Sequence, residues 1–108
     1  MEDTIVLFLL ALRLQGVPQT KLVMYRSRLG RLNRFFHRPV KNLAPDDFPK
    51  YLAHLRGFLS ENSIAGHLRC ARIFLDWCVE EGFLGQNPFL SPEGGAEHVR
   101  SSQFTLAS

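Results

Sequence analysis

The residues best suited to chemistry in this 108-residue chain are basic ones, concentrated between Lys21 and Lys41, where no acidic residue occurs. Solvated helix faces usually carry both charge signs, so an unbalanced stretch of this kind is uncommon. Ten of the thirteen basic residues are arginine, whose planar guanidinium suits phosphate groups and base edges. The pattern suits recognition of a polyanion and equally suits an Arg-rich solvated helix face, so composition alone leaves both interpretations open.

A second group of polar and small side chains lies between Ser60 and Arg72. Small residues such as Gly66 allow a helix to lie deep in a groove, and a helix N-terminus attracts phosphate. The alternatives are that Gly66 is a helix-packing position and that His67 is a histidine at the edge of the core. From the two segments together, the predicted contact residues are Lys21, Ser27, Arg28, Arg31, Arg34, Arg38, Asn62, Ser63, Gly66, His67, Arg69 and Arg72.

Other chemistry is disfavoured by the cysteines and histidines. Cys70 and Cys78 are eight positions apart in one predicted helix, which separates them by about 12 Å, beyond disulfide reach. We expect both to be buried thiols in a reducing cytoplasm. The four histidines are scattered, and none pairs with a cysteine at metal-ligand spacing. No metal site and no cofactor are therefore predicted.

The longest apolar run, Ile5 to Leu12, does not predict a membrane segment. A membrane-spanning helix takes about 20 apolar residues. Glu2 and Asp3 precede the run, where a signal peptide would carry positive charge. We therefore expect a cytoplasmic protein without membrane insertion.

Composition predicts a single folded domain with a basic body. The chain is 45% hydrophobic and 21% charged, and its length suits one domain. From Leu12 to Cys78, twelve basic residues stand against four acidic ones, whereas the first eleven residues and those after Cys78 are net acidic.

Apolar spacing predicts helices throughout the first 90 residues. The first helix begins at Asp3 or Thr4, either of which can cap it, and stops at Gly16. It is apolar on most sides, so we expect it to be largely covered. The second helix begins near Pro18 and buries Leu22, Tyr25, Leu29, Leu32 and Phe36. Its opposite face carries Ser27, Arg31, Arg34 and Arg38, with Lys21 and Arg28 flanking the buried stripe.

The third and fourth predicted helices have clearer starts. The third runs from Asp47 to Arg56, with Asp46 as its cap and Pro49 as its third residue. Its expected inner residues are Phe48, Leu52 and Leu55, with Tyr51 beside them. The fourth runs from a Ser60 cap through Glu81 and is central to the domain, and the apolar segment Phe83–Phe89 packs back on it. Residues 1–89 are the predicted domain, and 90–108 a linker or disordered tail.

Four ordered groups of residues resemble a known family. They are Tyr25, Leu29 and Leu32; Tyr51, Leu52 and Leu55; Leu59, Ser60, Ser63, Ile64, Leu68, Arg72, Phe74 and Trp77; and Gly82, Leu84, Asn87 and Pro88. In this order and spacing they resemble the core-binding domain of tyrosine recombinases, the N-terminal SAM-like domain of the phage-integrase family. The resemblance covers residues 4–89. It rests on the order of the groups and on the closing Asn-Pro, because each group is mostly core and cap residues.

The resemblance implies an all-α, compact four-helix SAM-like orthogonal bundle with a short fifth segment. It implies double-stranded DNA as the partner, with the second and fourth helices facing the major groove. Other recombinase subunits would join on DNA, and the isolated domain would be a monomer. In the family, a separate C-terminal domain cuts DNA with arginines, a histidine and a tyrosine.

That catalytic group is not matched here. Tyr25 and Tyr51 fall at expected core positions, and only Arg100 and His98 represent the needed residue types after Trp77. We therefore expect a DNA-binding domain that is not an enzyme. The alternative is a helical protein-interaction module for subunit assembly, which the apolar first helix and the Phe83–Phe89 segment would serve.

Overall fold

Four α-helices joined by short connections account for most of the chain between residues 1 and 89, which are the residues that the computed structural model describes. Within this range the chain is all-helical and contains no strand. The helices are α1 (Glu2–Leu14), α2 (Gln19–Phe36), α3 (Asp47–Arg56) and α4 (Glu61–Glu80), with a short 3₁₀ turn at Val40–Asn42. The predicted tail at 90–108 lies outside the described residues.

The ends of α1 and α2 depend on backbone conformation more than on side-chain caps. The prediction that Asp3 or Thr4 caps α1 is wrong, because the helix begins at Glu2 and no side chain caps it. Gly16 follows α1 with a φ of +90°, which glycine adopts without strain, so the predicted stop is confirmed. His37 directly follows α2 in the left-handed conformation, with a φ of 53°, and its N–H donates to the Asn33 carbonyl.

Helix α3 begins at Asp47, with Pro49 as its third residue, as predicted. Asp46 precedes it but makes no cap bond, because its helical backbone (φ −62°, ψ −22°) differs from the extended conformation of a capping residue. The buried Asp47 carboxylate organises the entry instead. Its Oδ2 accepts the Ala44 N–H at 2.8 Å, and its Oδ1 accepts from Arg38 Nη2 at 2.9 Å.

Helix α4 is the centre of the domain, as its apolar breadth predicts. Ser60 caps it by accepting the Ser63 N–H at 3.3 Å. Its buried residues are Ile64, Leu68, Cys70, Ala71, Phe74, Leu75 and Cys78. The stripe of α2 packs against it through Tyr25, Leu29, Leu32 and Phe36. In α3 the inner face is rotated from the prediction, since Tyr51 and Leu55 are buried whereas Phe48 and Leu52 are only half-buried.

Helix α1 buries only its inner edge. Ile5 and Phe8 are in the core, and the Phe8 ring packs edge-on against Tyr25 and Phe74. Four apolar residues on the outer side remain exposed, so the prediction that this helix is largely covered is wrong for the single chain. Across residues 1–89, no helix is both long enough and apolar enough to cross a membrane.

The segment after α4 folds back onto the bundle, as predicted. Phe89 is fully buried beside Phe48 and Tyr51, and its N–H donates to Asn87 Oδ1 at 2.8 Å. The Asn87 Nδ2 donates to the Arg72 carbonyl and to Asp76 Oδ1. The buried Asn87 therefore fastens the returning chain to α4.

Candidate nucleic-acid interface

Helices α2 and α4 meet where the Arg28 side chain crosses over Gly66. A Cβ atom at Gly66 would lie only 2.9 Å from Arg28 Nη1 and 3.1 Å from its Cζ. The guanidinium also donates to Cys70 Sγ at 3.5 Å, one turn further along α4. The missing side chain of Gly66 thus provides the space in which a basic residue of α2 lies against α4.

Arg31 is held on the α3–α4 connection by an aromatic ring. Its guanidinium carbon lies 4.7 Å from the centre of the Phe58 ring, and this ring is half exposed. A cation over an aromatic face is attracted by the ring quadrupole, so the Phe58 ring favours this position of the Arg31 side chain. The sequence did not predict a role for Phe58. It lies in a connection between helices, where no helical periodicity indicates which residue it contacts.

Arginines of α2 and α4 oppose the rise in pKa that burial causes in two tyrosines. Burial raises the pKa of Tyr51 to about 12, and Arg31 and Arg34 act in the opposite direction. Burial also raises the pKa of Tyr25, with Arg69 and Arg28 opposing the rise. Arg69 of α4 and Arg28 of α2 are therefore close enough to act on one tyrosine.

The arginines of this surface lack acidic partners. Within residues 1–89, the ion pairs shorter than 4.0 Å are Arg38–Asp47 and Arg56–Glu61. None of the other predicted contact arginines is paired with a carboxylate in that range. The positive charge of Arg28, Arg31, Arg34 and Arg69 is consequently available to an external anion.

Some predicted contact residues of α4 make hydrogen bonds within their own helix, whereas others are exposed to solvent. Ser63 donates its N–H to the Ser60 cap, and the half-buried His67 shares a 2.9 Å hydrogen bond with the Ser63 carbonyl through Nδ1. Asn62 and Arg69 are exposed two turns apart on the same outer face. On α2, the exposed predicted contacts are Lys21, Ser27 and Arg34.

Two predicted contact residues are engaged elsewhere. The prediction that Arg38 continues the outward face of α2 is wrong, because the helix ends at Phe36 and Arg38 turns to pair with Asp47. Arg72 is half-buried, its Nε donates to the Phe89 carbonyl at 3.1 Å, and its guanidinium lies over Phe48. Both arginines therefore hold the fold together.

A groove of about 500 Å³ between α3 and α4 borders this surface. Its two acidic residues are already engaged, Glu61 with Arg56 at 3.8 Å and Asp76 with Asn87 at 2.9 Å. Arg69 lines the same groove without such a partner among the described residues. It is the cation of α4 best placed to reach outward.

Most aromatic residues in the described range are buried or half-buried, but Phe35, Phe58 and Phe83 are exposed. Helical spacing with leucine and isoleucine predicts core positions for Phe35, Phe36, Phe74 and Trp77. Phe36 and Phe74 are buried, and Trp77 is half-buried. Phe35 is 36% exposed and stacks on His54 with ring centres 4.5 Å apart, so its assignment to the core is wrong. Its position beside the buried stripe places it over the end of α3.

Nucleophilic and metal chemistry has little support in residues 1–89. Tyr25 is 8% and Tyr51 1% exposed. Cys70 and Cys78 are buried, and burial raises the pKa of Cys78 to about 12, which keeps its thiol protonated. The described range contains no group of three or more His, Cys, Asp or Glu residues that could hold a metal ion. What the surface can do is bind an anion.

Comparisons with protein-family models, with curated proteins and with solved structures give no match for this chain. The functional argument therefore depends on the surface formed by α2 and α4 and on the ordered resemblance in the sequence.

Proposed function

We propose that this chain binds double-stranded DNA, without cutting it, as the core-binding half of a tyrosine recombinase. In this proposal its four helices have the SAM-like orthogonal arrangement of that family. The observation that carries the proposal is the junction at Gly66. There, Arg28 joins the basic face of α2 to the small, polar face of α4.

The dimensions and charges of this surface suit duplex DNA. The major groove, about 12 Å wide, admits one α-helix. Ala65 reduces the bulk of α4 and Gly66 makes room for the Arg28 guanidinium, while α2 brings further unpaired cations beside it. Arg31 and Arg34 would contact phosphates. Arg69 would reach a base edge, where arginine commonly pairs with guanine.

Binding without cleavage follows from the burial of both tyrosines in the described range. A tyrosine nucleophile must reach a phosphorus atom, and the Tyr51 hydroxyl is enclosed in the core, while the Tyr25 residue is 8% exposed. Chemistry would then belong to a separate catalytic domain, and further recombinase subunits would be partners on the DNA.

The decisive experiment measures duplex binding of the triple variant Arg31→Ala, Arg34→Ala, Arg69→Ala over a range of salt concentrations. If about five basic residues reach phosphates, the parent has a log–log salt slope of about −4 to −5. The triple variant should bind more weakly, with a slope shallower by about 2 to 3. Its melting temperature should change little, since no removed side chain is in the core.

A charge-matched control separates this surface from net charge. The variant Arg13→Ala, Lys41→Ala, Lys50→Ala removes the same charge from exposed positions on α1, the 3₁₀ turn and α3. It should retain most of the affinity. Equal losses of DNA affinity in the two triple variants would show that only net charge matters. Undiminished DNA binding by the Arg31, Arg34 and Arg69 variant would contradict the proposal.

Base reading and cleavage can be examined with the same protein. Arg69→Ala should reduce discrimination between duplexes differing at one base pair by about 1–3 kcal/mol. Arg31→Ala should instead weaken all sequences alike. Incubation with supercoiled DNA, with and without magnesium, should give no nicks and no covalent protein–DNA adduct.

The exposed apolar side of α1 favours a second function, protein–protein interaction. This side lies outside the basic surface, so the two functions are compatible.

A further inference from the structure

Helix α1 presents an apolar face that the rest of the described chain leaves open. The exposed fractions are 52% for Val6, 47% for Leu7, 49% for Leu10 and 80% for Leu14. Scattered exposed leucines are ordinary, but these four fall on one side of a helix of thirteen residues. Ile5 and Phe8, on the other side, already hold the helix to the core. The open face is therefore not needed to attach α1 to its own domain.

The spacing along this face matches the seam of a helix pair. Asp3, Leu7, Leu10 and Leu14 follow one another at intervals of four, three and four residues. Such alternation keeps one stripe directed at a neighbouring helix over its whole length. A helix packing along this stripe would cover Leu7 and Leu10 at its centre.

The charges at the two ends of α1 select the orientation of that neighbour. Glu2 and Asp3 are exposed in the first turn, and Arg13 is exposed in the last. Against a second α1 running antiparallel, the acidic start of each helix lies beside the basic end of the other. A parallel pair would instead oppose like charges at both ends.

We propose that two copies of this chain associate through α1, antiparallel and related by a twofold axis near Leu7 and Leu10. An interface of this kind is self-complementary, since residue i of one copy meets residue j of the other and the reverse. The apolar patch covers a few hundred Å² per copy, less than the roughly 800 Å² of a standard interface. The dimer is therefore weak, and the monomer predicted from the sequence is its dilute form.

The pairing leaves the basic surface free. Asn33 Nδ2 of α2 donates to Glu2 Oε1 at 3.4 Å, so α1 lies on one flank of the buried stripe of α2. Arg28 reaches α4 from the opposite flank. The proposal consequently does not depend on DNA binding and can fail or hold without it.

The first experiment measures the molar mass of the full 108-residue chain by sedimentation equilibrium. Protein concentrations from about 10 μM to about 1 mM cover the affinity expected for a small interface. The parent should move from monomer towards dimer. Leu10→Glu should raise the dissociation constant at least tenfold, because it places two carboxylates at the centre of the pair. The control Val23→Glu changes an equally exposed apolar residue on α2 and should leave the constant unchanged.

A second experiment tests orientation with single cysteines. Asp3→Cys and Leu14→Cys place thiols at opposite ends of the stripe, and the native Cys70 and Cys78 are buried. Antiparallel pairing predicts disulfide dimers when the two variants are mixed, and few with either variant alone. Cross-linking of each variant with itself overturns the antiparallel assignment. A monomer at every concentration overturns the proposal altogether, whichever other partner covers α1.

Discussion

Replacement of Gly66 by alanine separates what this residue does for the fold from what it does for the proposed interface. The new methyl group would lie 2.9 Å from Arg28 Nη1, too close for either atom to remain in place. The guanidinium is the far end of a flexible side chain, so it should move while the helices stay. The bond from Arg28 to Cys70 Sγ is then lost.

The free energy of unfolding should rise slightly. Replacing a helix-interior glycine by alanine contributes about 1 kcal/mol. The lost N–H···S bond is long and involves a weak acceptor, so it offsets no more than about 0.5 kcal/mol. The net gain of about 0.5 kcal/mol corresponds to a melting temperature raised by roughly 2–4 °C in a domain of this size.

DNA binding should weaken in the same variant. We expect Arg28, at the junction of the two basic faces, to contact a phosphate as well, so its displacement reduces the magnitude of the salt slope by about 1. We expect an affinity loss of roughly tenfold, equivalent to about 1.4 kcal/mol. Thermal unfolding followed by circular dichroism and a duplex-binding titration at several salt concentrations measure both effects.

Gly30→Ala is the matched control. A Cβ atom there would lie 3.4 Å from Arg34 Nη1, an ordinary contact, so α2 should gain the full propensity of about 1 kcal/mol with an unchanged salt slope. If Gly66→Ala loses more than about 1 kcal/mol of stability, close backbone packing rather than Arg28 occupies the site. If it binds DNA like the parent, Arg28 is not part of the interface.

Three further predictions concern the fold. Asn87→Ala should destabilise the protein by about 2–3 kcal/mol in chemical denaturation, because it removes the hydrogen bonds that hold the returning chain; Gln86→Ala, at an exposed neighbour, should be neutral. Asp47→Ala should cost about 2–3 kcal/mol, since the Ala44 N–H loses its acceptor and Arg38 its partner; no loss would show that the α3 entry is held by other contacts. Cys78 has its pKa raised by burial to about 12, so its contribution to stability is present below the unfolded pKa of about 9 and is lost as pH rises towards 12; melting between pH 8 and pH 11 should show a smaller decline in Cys78→Ala than in the parent.

The bounds of α3 and α4 follow closely from the sequence because local signals agree there. Two prolines and two aspartates restrict the start of α3, and Ser60 supplies the side-chain cap of α4. The central place of α4 also follows, because a helix that is apolar nearly all round can be covered only in the middle of a bundle.

The end of α2 is less predictable from local sequence. His37 adopts a left-handed conformation that glycine usually supplies, and no glycine marks the position. The bond from Arg38 to Asp47 links residues nine positions apart through a turn whose shape the spacing does not encode. The sequence prediction, which assumed that the helix continued, therefore wrongly added Arg38 to the basic face of α2.

The sequence predicts which residues belong to the candidate surface, but not the contact between Arg28 and Gly66 that joins its two halves. Periodicity places Arg28 at the edge of the α2 stripe and Gly66 on the polar side of α4, but each is read on a separate helix. Their contact depends on how the two helices cross, which only packing decides. The exposed outer side of α1 was unpredictable for a similar reason. When a helix is apolar all round, its sequence does not show which of its faces meets the core.

If both proposals hold, even a weak α1 dimer is enough for two chains to bind DNA together. Two chains paired through α1 present two basic surfaces, and engagement of one surface raises the effective concentration of the other at an adjacent site. A chain held on DNA in turn keeps its partner close, so DNA and the α1 contact strengthen each other by mass action. A duplex with two adjacent sites should therefore bind the parent cooperatively. Leu10→Glu should remove this cooperativity while leaving affinity for a single site unchanged, a combination that loss of the DNA-binding surface alone would not produce.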